Sequence, residues 1–300
     1  MSPCIAVIDI GSNSARLVVY QTSSQYGFQI LCERKSKVRI GEGAYQANGY
    51  LQPLGMNRAY LALYEFVSTT KKYPVSKVIT IATSALRDAP NAEIFTSKIE
   101  KELNLKIEII DGKKEALFGA IAVINFLPIK EGITIDIGGG SSDIALIKDS
   151  KVVDTFSLNI GTVRLKELFF DNNKSIQETK EFINNTLKRL PSHFKSKQAI
   201  GIGGTARALS NGIIKNLYSE KKEVHGFSYN IQQEQEYFSK IAYANIEELS
   251  QFSLPKGRFD TIREGTLIWQ SILKYIEAVE VITSTVGIRE GAFLFYKERE

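Results

Sequence analysis

The chain has 300 residues, 38 Lys+Arg against 33 Asp+Glu for a net charge of +5, and only two Cys and two His. At about 100–200 residues per domain the length gives two domains, and 43% hydrophobic with 24% charged residues describes a globular chain able to bury sizeable cores. A disulfide-stapled scaffold and a Cys/His zinc site are both excluded, and neither His193 nor His225 lies near a nucleophile motif, so catalysis falls to carboxylates, Arg, hydroxyls and backbone amides.

An apolar run from Ile5 to Ile10, the turn Gly11-Ser12-Asn13-Ser14 and a second run from Leu17 to Tyr20 predict a hairpin, with a third strand over Phe28 to Glu33. Helical spacing of Leu54, Ala59, Leu61, Tyr64 and Phe66 predicts a helix over 53–71. A strand at Val78 to Ala82, a helix over 92–103 capped by Asn91, a strand at Ile107 to Ile110 and a helix from Lys114 to Val123 follow. Pro128, Lys130, Glu131 and Gly132 then mark a boundary. Beyond it the opening repeats: Ile135-Asp136-Ile-Gly138-Gly139-Gly140-Ser141 matches Ile8-Asp9-Ile-Gly11-Ser12-Asn13-Ser14. Strands are expected at 152–158, 199–202 and 279–283, with helices at 163–170, 175–190, from Ala206, over 259–278 around Trp269, and after Gly287. Residues 219–225 form a solvated loop by composition. The halves are structural duplicates, divided into 1–125 and 126–300, with the terminal helix able to pack back on the first domain.

Each half opens with a strand, an Asp, a glycine-containing turn and a strand. Glycines and small hydroxyl residues let backbone amides approach an anion closely and form a nest for phosphate oxygens. An Asp at the strand end suits a hard cation bridging to phosphate through water. One such turn alone is ordinary hairpin chemistry; two with the same Asp-x-Gly-x-x-Ser spelling point to matching phosphate loops. A third cluster, Gly203-Gly204-Thr205, follows a strand and opens a helix, where anions are favoured, though a tight turn explains it equally well.

The chain resembles the exopolyphosphatase/guanosine pentaphosphate phosphohydrolase (Ppx/GppA) family, within the actin/Hsp70/sugar-kinase superfamily. The resemblance rests on Asp9-Ile-Gly-Ser-Asn-Ser-Ala-Arg16, Arg39-Ile-Gly-Glu-Gly43, Ala82-Thr-Ser84-Ala-Leu-Arg87, Gly112-Lys-Lys-Glu115, Asp136-Ile-Gly-Gly-Gly-Ser-Ser-Asp143, Gly161-Thr-Val-Arg164, Gly203-Gly-Thr-Ala-Arg207 and Gly287-Ile-Arg-Glu-Gly291. It implies an α/β fold of two duplicated actin-like (ribonuclease H-like) domains, with mixed sheets flanked by helices and the active site in the interdomain cleft. It also implies Mg²⁺ (or Mn²⁺) at Asp9, Asp136 and Asp143, and phosphate binding by Gly11, Ser12, Asn13, Ser14, Arg16, Ser84, Arg87, Gly138, Gly139, Gly140 and Ser141. Glu115 would orient or deprotonate the attacking water. Gly203, Gly204, Thr205, Arg207, Arg258 and Arg289 are candidates for nucleotide or polyphosphate binding, and the three arginines serve equally well as salt-bridge partners. Two departures stand out: Lys113-Lys114 precede Glu115 where the family usually has an acidic residue, and Asp143 stands where it usually has Glu.

The implied activity is release of the terminal phosphate from inorganic polyphosphate, guanosine pentaphosphate, or both, with short chains favoured because the longer members' additional C-terminal domains do not follow. Competing readings are an ATP-dependent kinase or ATPase of the same fold, which needs an adenosine pocket near Gly203-Gly204, and a non-catalytic sensor of polyphosphate or of the alarmone guanosine penta/tetraphosphate. No DNA and no membrane partner is expected. The N-terminus lacks the pattern of a signal peptide, so cytoplasmic residence is expected, and a homodimer is the expected assembly. Lys71-Lys72, Lys221-Lys222 and the stretch from Lys35 to Arg39 are candidate walls of a polyanion path, although such pairs commonly just face solvent.

Overall fold

The computed structural model describes residues 4–23, 27–217 and 222–297. The chain opens with β1 (Cys4–Ile10), β2 (Ala15–Thr22) and β3 (Phe28–Ser36), then α1 (Pro53–Thr70), β4 (Val75–Ala82), the single turn α2 (Ser84–Arg87), α3 (Ala92–Leu103) and β5 (Glu108–Ile109). It continues with α4 (Gly112–Phe126), β6 (Gly132–Ile137), β7 (Ser142–Lys148), β8 (Lys151–Leu158), α5 (Thr162–Leu165) and a π-helical turn at Lys166–Phe170. Then come α6 (Ile176–Leu187), β9 (Gln198–Ile202), α7 (Gly203–Leu217), β10 (Ser228–Asn230), α8 (Ile231–Tyr243), α9 (Ile262–Tyr275), β11 (Glu280–Thr283) and α10 (Ile288–Lys297).

Two sheets form, ordered β3-β2-β1-β4-β5 and β8-β7-β6-β9-β11-β10. In each, three antiparallel meander strands are joined to parallel crossover strands, β4 and β5 in the first and β9 and β11 in the second. A parallel neighbour requires a crossover connection, which α1 and α3 supply in the first sheet and the helices after β8 and β9 in the second. The apolar runs read as strands alternate little because both faces are covered: β1 is buried along nearly its whole length.

The compact units run up to Asp111 together with the segment from Ile288, and from Gly112 to Gly287. The sequence-based division at 125/126 is therefore displaced. Helix α4 lies in the second unit because its small face, Ala116, Ala120 and Val123, packs on Ala145, Ile147, Ile200 and Ile202. Helix α10 lies in the first, where Phe293 stacks on Tyr20 at 4.4 Å and meets Phe28 edge-on at 4.8 Å. Trp269 is fully buried in the second unit's core.

Local differences have simple causes. Asn91 sits at the start of α3 but does not cap it; its amide instead clamps the backbone of Leu51 through both Oδ1 and Nδ2. The helix expected at 163–170 divides into α5 and the π-helical turn. Helix α7 begins at Gly203, earlier than expected, and α9 covers 262–275 rather than 259–278. Helix α8 has no counterpart in the sequence reading. Residues 219–221 of the expected solvated loop lie outside the described residues; Lys222 and Glu223 are exposed.

Candidate active site

In the first unit, Ile10 pairs with Ala15 and Asp9 with Arg16, while Gly11 N donates to Ser14 O at 3.1 Å. Directly opposed residues of an antiparallel pair share a face, so Asp9 and Arg16 lie side by side at the mouth of the turn. The turn's outward carbonyls are occupied: Asn13 O accepts from Arg39 N at 3.0 Å and Ser12 O from Gly41 N at 3.1 Å. Ser12 Oγ meets Ser84 Oγ at 3.1 Å. Arg58 secures the strap over the turn by donating to Val38 O at 2.8 Å and pairing with Glu42 at 2.6 Å. Among the described residues no protein acceptor takes the amides of Ser12 or Asn13, which leaves them as donors for an anion.

The cations of this unit differ in placement. Arg16 contacts Glu33 at 3.3 Å, and Arg87 donates to Ile110 O at 3.1 Å, which fixes it beyond β5. Arg289, only 9% exposed, lies 3.9 Å from Glu33 and 4.0 Å from Glu290. Burial draws its pKa down, but Glu290, Asp9, Tyr20 and Glu33 together more than offset this and hold the guanidinium charged. Of the two roles open to Arg289, its contacts are those of an ion-pair partner within its own unit.

The second unit repeats the hairpin with the same register: Ile137 pairs with Ser142, Asp136 with Asp143, and Gly138 N donates to Ser141 O at 2.9 Å. Here the start of α5 fastens the loop. Thr162 N donates to Gly138 O at 2.9 Å, Val163 N and Arg164 N to Gly139 O at 2.8 and 3.0 Å, and Arg164 Nε to Gly140 O at 2.8 Å. This approach requires Gly161, since a Cβ there would stand 2.5 Å from the backbone of Gly139 and Gly140. The amides of Gly139 and Gly140, like those of the first loop, have no protein acceptor among the described residues.

Asp136 and Asp143 share a sheet face, but their surroundings differ. Asp143, 3% exposed, accepts hydrogen bonds from Ser157 Oγ at 2.5 Å and Ser141 Oγ at 3.0 Å. Both of its oxygens are thus engaged with neighbouring hydroxyls. The start of α4 touches the same place: a Cβ on Gly112 would lie 2.2 Å from Ser157 Cβ and 3.5 Å from Asp143 Oδ1. Glu115, in the first turn of that helix, is half-buried. Lys113 beside it is exposed, and Lys114 lies with Nζ 5.7 Å from the Phe118 ring along its own helix.

Asp136 instead lies against the start of α7. Gly203 has φ +79°, and a Cβ there would come within 2.1 Å of Asp136 Oδ1, so only glycine both adopts the conformation and leaves room for the carboxylate. Arg258 covers the next residue, its Nη2 standing 1.5 Å from where a Gly204 Cβ would be. Thr205 is buried against Gly265. Arg207 donates to Thr285 O at 3.1 Å. The second unit therefore gathers Gly138–Ser141, Asp136, Asp143, Gly203, Gly204, Arg258 and the start of α4. Arg164 and Ser157, which hold the loop and Asp143, were not among the expected site residues.

Among the described residues no group of three or more His, Cys, Asp or Glu is assembled to hold a metal. A divalent cation of the Mg²⁺ type needs only one or two carboxylates, with water and substrate phosphates completing the shell. Asp136 beside Asp143 fits that description. Among the described residues no helix is long and apolar enough to cross a membrane.

Comparison with known proteins decides the family: the profile described as the Ppx/GppA phosphatase family matches residues 18–299. The chain belongs to the Ppx/GppA phosphatase family. As a Ppx/GppA chain it is 29% identical over 306 residues to the bifunctional 3-dehydroquinate synthase/phosphatase of Fusobacterium nucleatum, covering 96% of this chain and 46% of that protein. It is 27% identical over 295 residues to the guanosine-5'-triphosphate,3'-diphosphate pyrophosphatase of Pseudoalteromonas translucida, covering 95% and 58%. The chain thus spans about half the length of these curated relatives. Among solved structures, a Ppx/GppA family member from Aquifex aeolicus aligns over 99% of this chain and 98% of its own at 29% identity, with a TM-score of 0.81. An exopolyphosphatase from Cytophaga hutchinsonii, at 23% identity and a TM-score of 0.88 over 99% and 98%, shares the fold. The two mixed sheets flanked by helices are the actin-like architecture of this family.

Proposed function

We propose that the chain is a hydrolase that releases the terminal phosphate of inorganic polyphosphate, of guanosine pentaphosphate, or of both. The observation that carries this reading is the second unit's loop: its free amides lie beside a carboxylate pair, Asp136 and Asp143, with the first turn of α4 abutting the latter. Family membership supports it, as does the pyrophosphatase activity named for the Pseudoalteromonas relative.

In this proposal the amides of Gly11–Ser14 and Gly138–Ser141, with Ser84, Arg16 and Arg87, hold phosphate oxygens, and Arg258 with Gly203–Thr205 contacts a further part of the substrate. Arg suits this task because its planar fork matches phosphate geometry. Glu115 orients a water and accepts its proton. The water oxygen then forms the new bond to the terminal phosphorus, the anhydride P–O bond breaks, and the shortened chain leaves with the bonding electrons. Positioning and charge neutralisation dominate such reactions. Mg²⁺ or Mn²⁺ at Asp136, with Asp143 and Asp9 as further candidates, would neutralise charge on the phosphoryl oxygens. The buried, unpaired thiols of Cys4 and Cys32 fit a reducing compartment, and the proposal places the enzyme in the cytoplasm; the homodimer is tested by sedimentation.

The test is phosphate release from polyphosphates of defined length, guanosine pentaphosphate and ATP, with and without Mg²⁺. Release from polyphosphate or guanosine pentaphosphate, lost on chelation, is the expected outcome. Turnover of ATP alone, or of none of them, overturns the reading.

A further inference from the structure

The second unit carries, apart from its phosphate loops, a groove of about 570 Å³ with α9 as floor and α6 and α8 as walls. Each helix contributes one face at helical spacing: Lys180, Asn184 and Lys188 from α6 and its C-cap, Ser239 and Tyr243 from α8, and Gln270 and Lys274 from α9. Four lysines line it, Lys180, Lys188, Lys195 and Lys274, and no acidic residue does. Lys195 is paired with Glu277 at 3.3 Å. Among the described residues the other three have no carboxylate partner. Lys188 donates to Asn185 Oδ1 at 2.9 Å, and Lys180 donates to the Tyr243 hydroxyl.

Ordinary helix electrostatics explains only part of this. Cations are favoured at helix C-termini, which accounts for Lys188 after α6 and Lys274 in the last turn of α9. It does not account for Lys180, which lies in the first half of α6. Three unneutralised ammonium groups on one concave surface repel one another unless an anion enters. A second hollow of about 490 Å³ shares Ser239, Gln270 and Lys274 and continues along α8 and α9 until Glu277 ends the positive stretch.

We propose that this groove binds a distal stretch of a linear polyphosphate chain, apart from the phosphate being cleaved. The inference rests on the reading of polyphosphate as substrate. Helix α9 links the two places: Gly265 in its first turn lies against Thr205 and Thr162, and Lys274, nine residues further on, is about 14 Å along the axis at a rise of 1.5 Å per residue. The occupant favoured is a polyanion without bases. Lys195 Nζ sits 4.6 Å over the Tyr275 ring and Lys180 Nζ 5.2 Å over the Tyr243 ring, so the tyrosines present ammonium groups where a nucleic-acid site would present bare stacking platforms.

The test combines Lys180→Gln, Lys188→Gln and Lys274→Gln, which remove charge and keep length. Binding is measured with divalent cations chelated, at several salt concentrations, for tripolyphosphate, for polyphosphate hundreds of units long and for an oligouridylate. Expected for the long chain is a dissociation constant about tenfold weaker, with a log–log salt slope smaller by about two, since each lost phosphate contact removes about 0.7 for a single-stranded polyanion. The KM for long chains rises in step, while tripolyphosphate binding and turnover stay unchanged. A long-chain dissociation constant that stays the same overturns the groove. An oligouridylate that binds the unsubstituted protein more tightly than polyphosphate, and is lost in the variant, reassigns the groove to nucleic acid. Should the triple variant fail to fold, Lys180→Gln and Lys188→Gln singly must each weaken long-chain binding about two- to threefold, the scale of an exposed ion contact. Absence of phosphate release at every chain length by the unsubstituted protein would sink the hydrolase reading while long-chain binding at the groove still stood.

Discussion

The two hairpin loops share a backbone and differ in charge. In the first unit Asp9 faces Arg16; in the second, at the same register position, Asp136 faces Asp143. An Asp–Arg pair beside a nest of amides favours phosphate oxygens. A carboxylate pair beside an equivalent nest favours a cation, or an ordered water whose proton is to be taken. The turn is the same in both, and in the proposed reaction the residue opposite the Asp divides the work. The supports diverge too: a strap from Arg39 to Glu42 holds the first loop, and the start of α5 holds the second.

The strongest way to break this division is at Glu115. A helix opening Gly-x-x-Glu packs on each sheet, α4 with Glu115 and α10 with Glu290. Glu290 is buried, takes the Tyr20 hydroxyl at 2.9 Å and lies by Arg289, so its task is structural. Glu115→Gln should lower phosphate release by about 10²–10⁴-fold, the worth of general-base help, with substrate binding retained. Glu290→Gln should lower stability and leave the chemical step intact. Equal loss of turnover in both, at unchanged binding, would remove the distinction.

The next effect concerns a repeated tetrapeptide, Ile-Arg-Glu-Gly, which opens α9 at 262–265 and α10 at 288–291. Glu290 has its partners, whereas Glu264 is 4% exposed with Oε2 unpaired. Burial pushes its pKa up from 4.5 to about 7, against the opposing pull of its own backbone amide, Arg263 and Lys166. Between those values the folded state holds a proton that the unfolded state has lost, so stability falls as pH rises through the window and the full cost is present above pH 7. Two to three pKa units correspond to about 3 kcal/mol. Glu264→Gln should therefore raise urea resistance by about that much at pH 8 and change little at pH 4. Urea midpoints of the variant and the unsubstituted protein that stay equal at pH 8 would contradict this.

How much of this could be read beforehand depends on where each signal lies. The hairpins were legible because Asp, Gly and Ser recur with fixed spelling, and α1, α3 and α9 because apolar residues recur at helical spacing. Helix α8 was not: Ile231-Gln-Gln-Glu-Gln-Glu buries only Phe238, Ile241 and Ala242 later in the helix, so its apolar period is too sparse. Within the site, Arg16 and Asp143 came from the resemblance and Arg164 stood in the Gly161-Thr-Val-Arg164 signature without a role, whereas Ser157 matters through a tertiary contact that no local pattern announces. The role given to Glu115 came from resemblance. The groove lysines are scattered over three segments, while the adjacent basic pairs that sequence reading favoured, Lys71-Lys72 among them, are absent from its lining.

A smaller effect tests the supports of the loops. Gly161→Ala places a Cβ 2.5 Å from backbone that cannot swing aside, whereas Gly41→Ala, under the first loop, meets Ser12 Cβ at 3.1 Å. Overpacking of the first kind typically costs about 1–3 kcal/mol, and it should disturb phosphate binding at the second loop. Gly41→Ala should cost less and leave that loop unaffected. A larger loss of stability from Gly41→Ala, read from thermal melts, would reverse the order of rigidity assigned to the two supports.

The finest test uses the serine that closes each turn. Ser141 donates to Asp143 at 3.0 Å and is fully enclosed, whereas Ser14 faces a register where Arg16 replaces that acceptor. Removing the Ser141 hydroxyl takes a donor from a buried carboxylate, and hydrogen bonds to charged groups contribute about 1.5–3 kcal/mol. Ser141→Ala should therefore destabilise the protein by about that amount. With less support for its charged form, Asp143 becomes easier to protonate, so the acid limb of the pH–rate profile should move to higher pH. Ser14→Ala has no such carboxylate to affect, and its profile should keep its acid limb in place. If both variants shift that limb equally, the charge difference between the hairpins does not control the chemistry, and the division of labour between Arg16 and Asp143 fails with it.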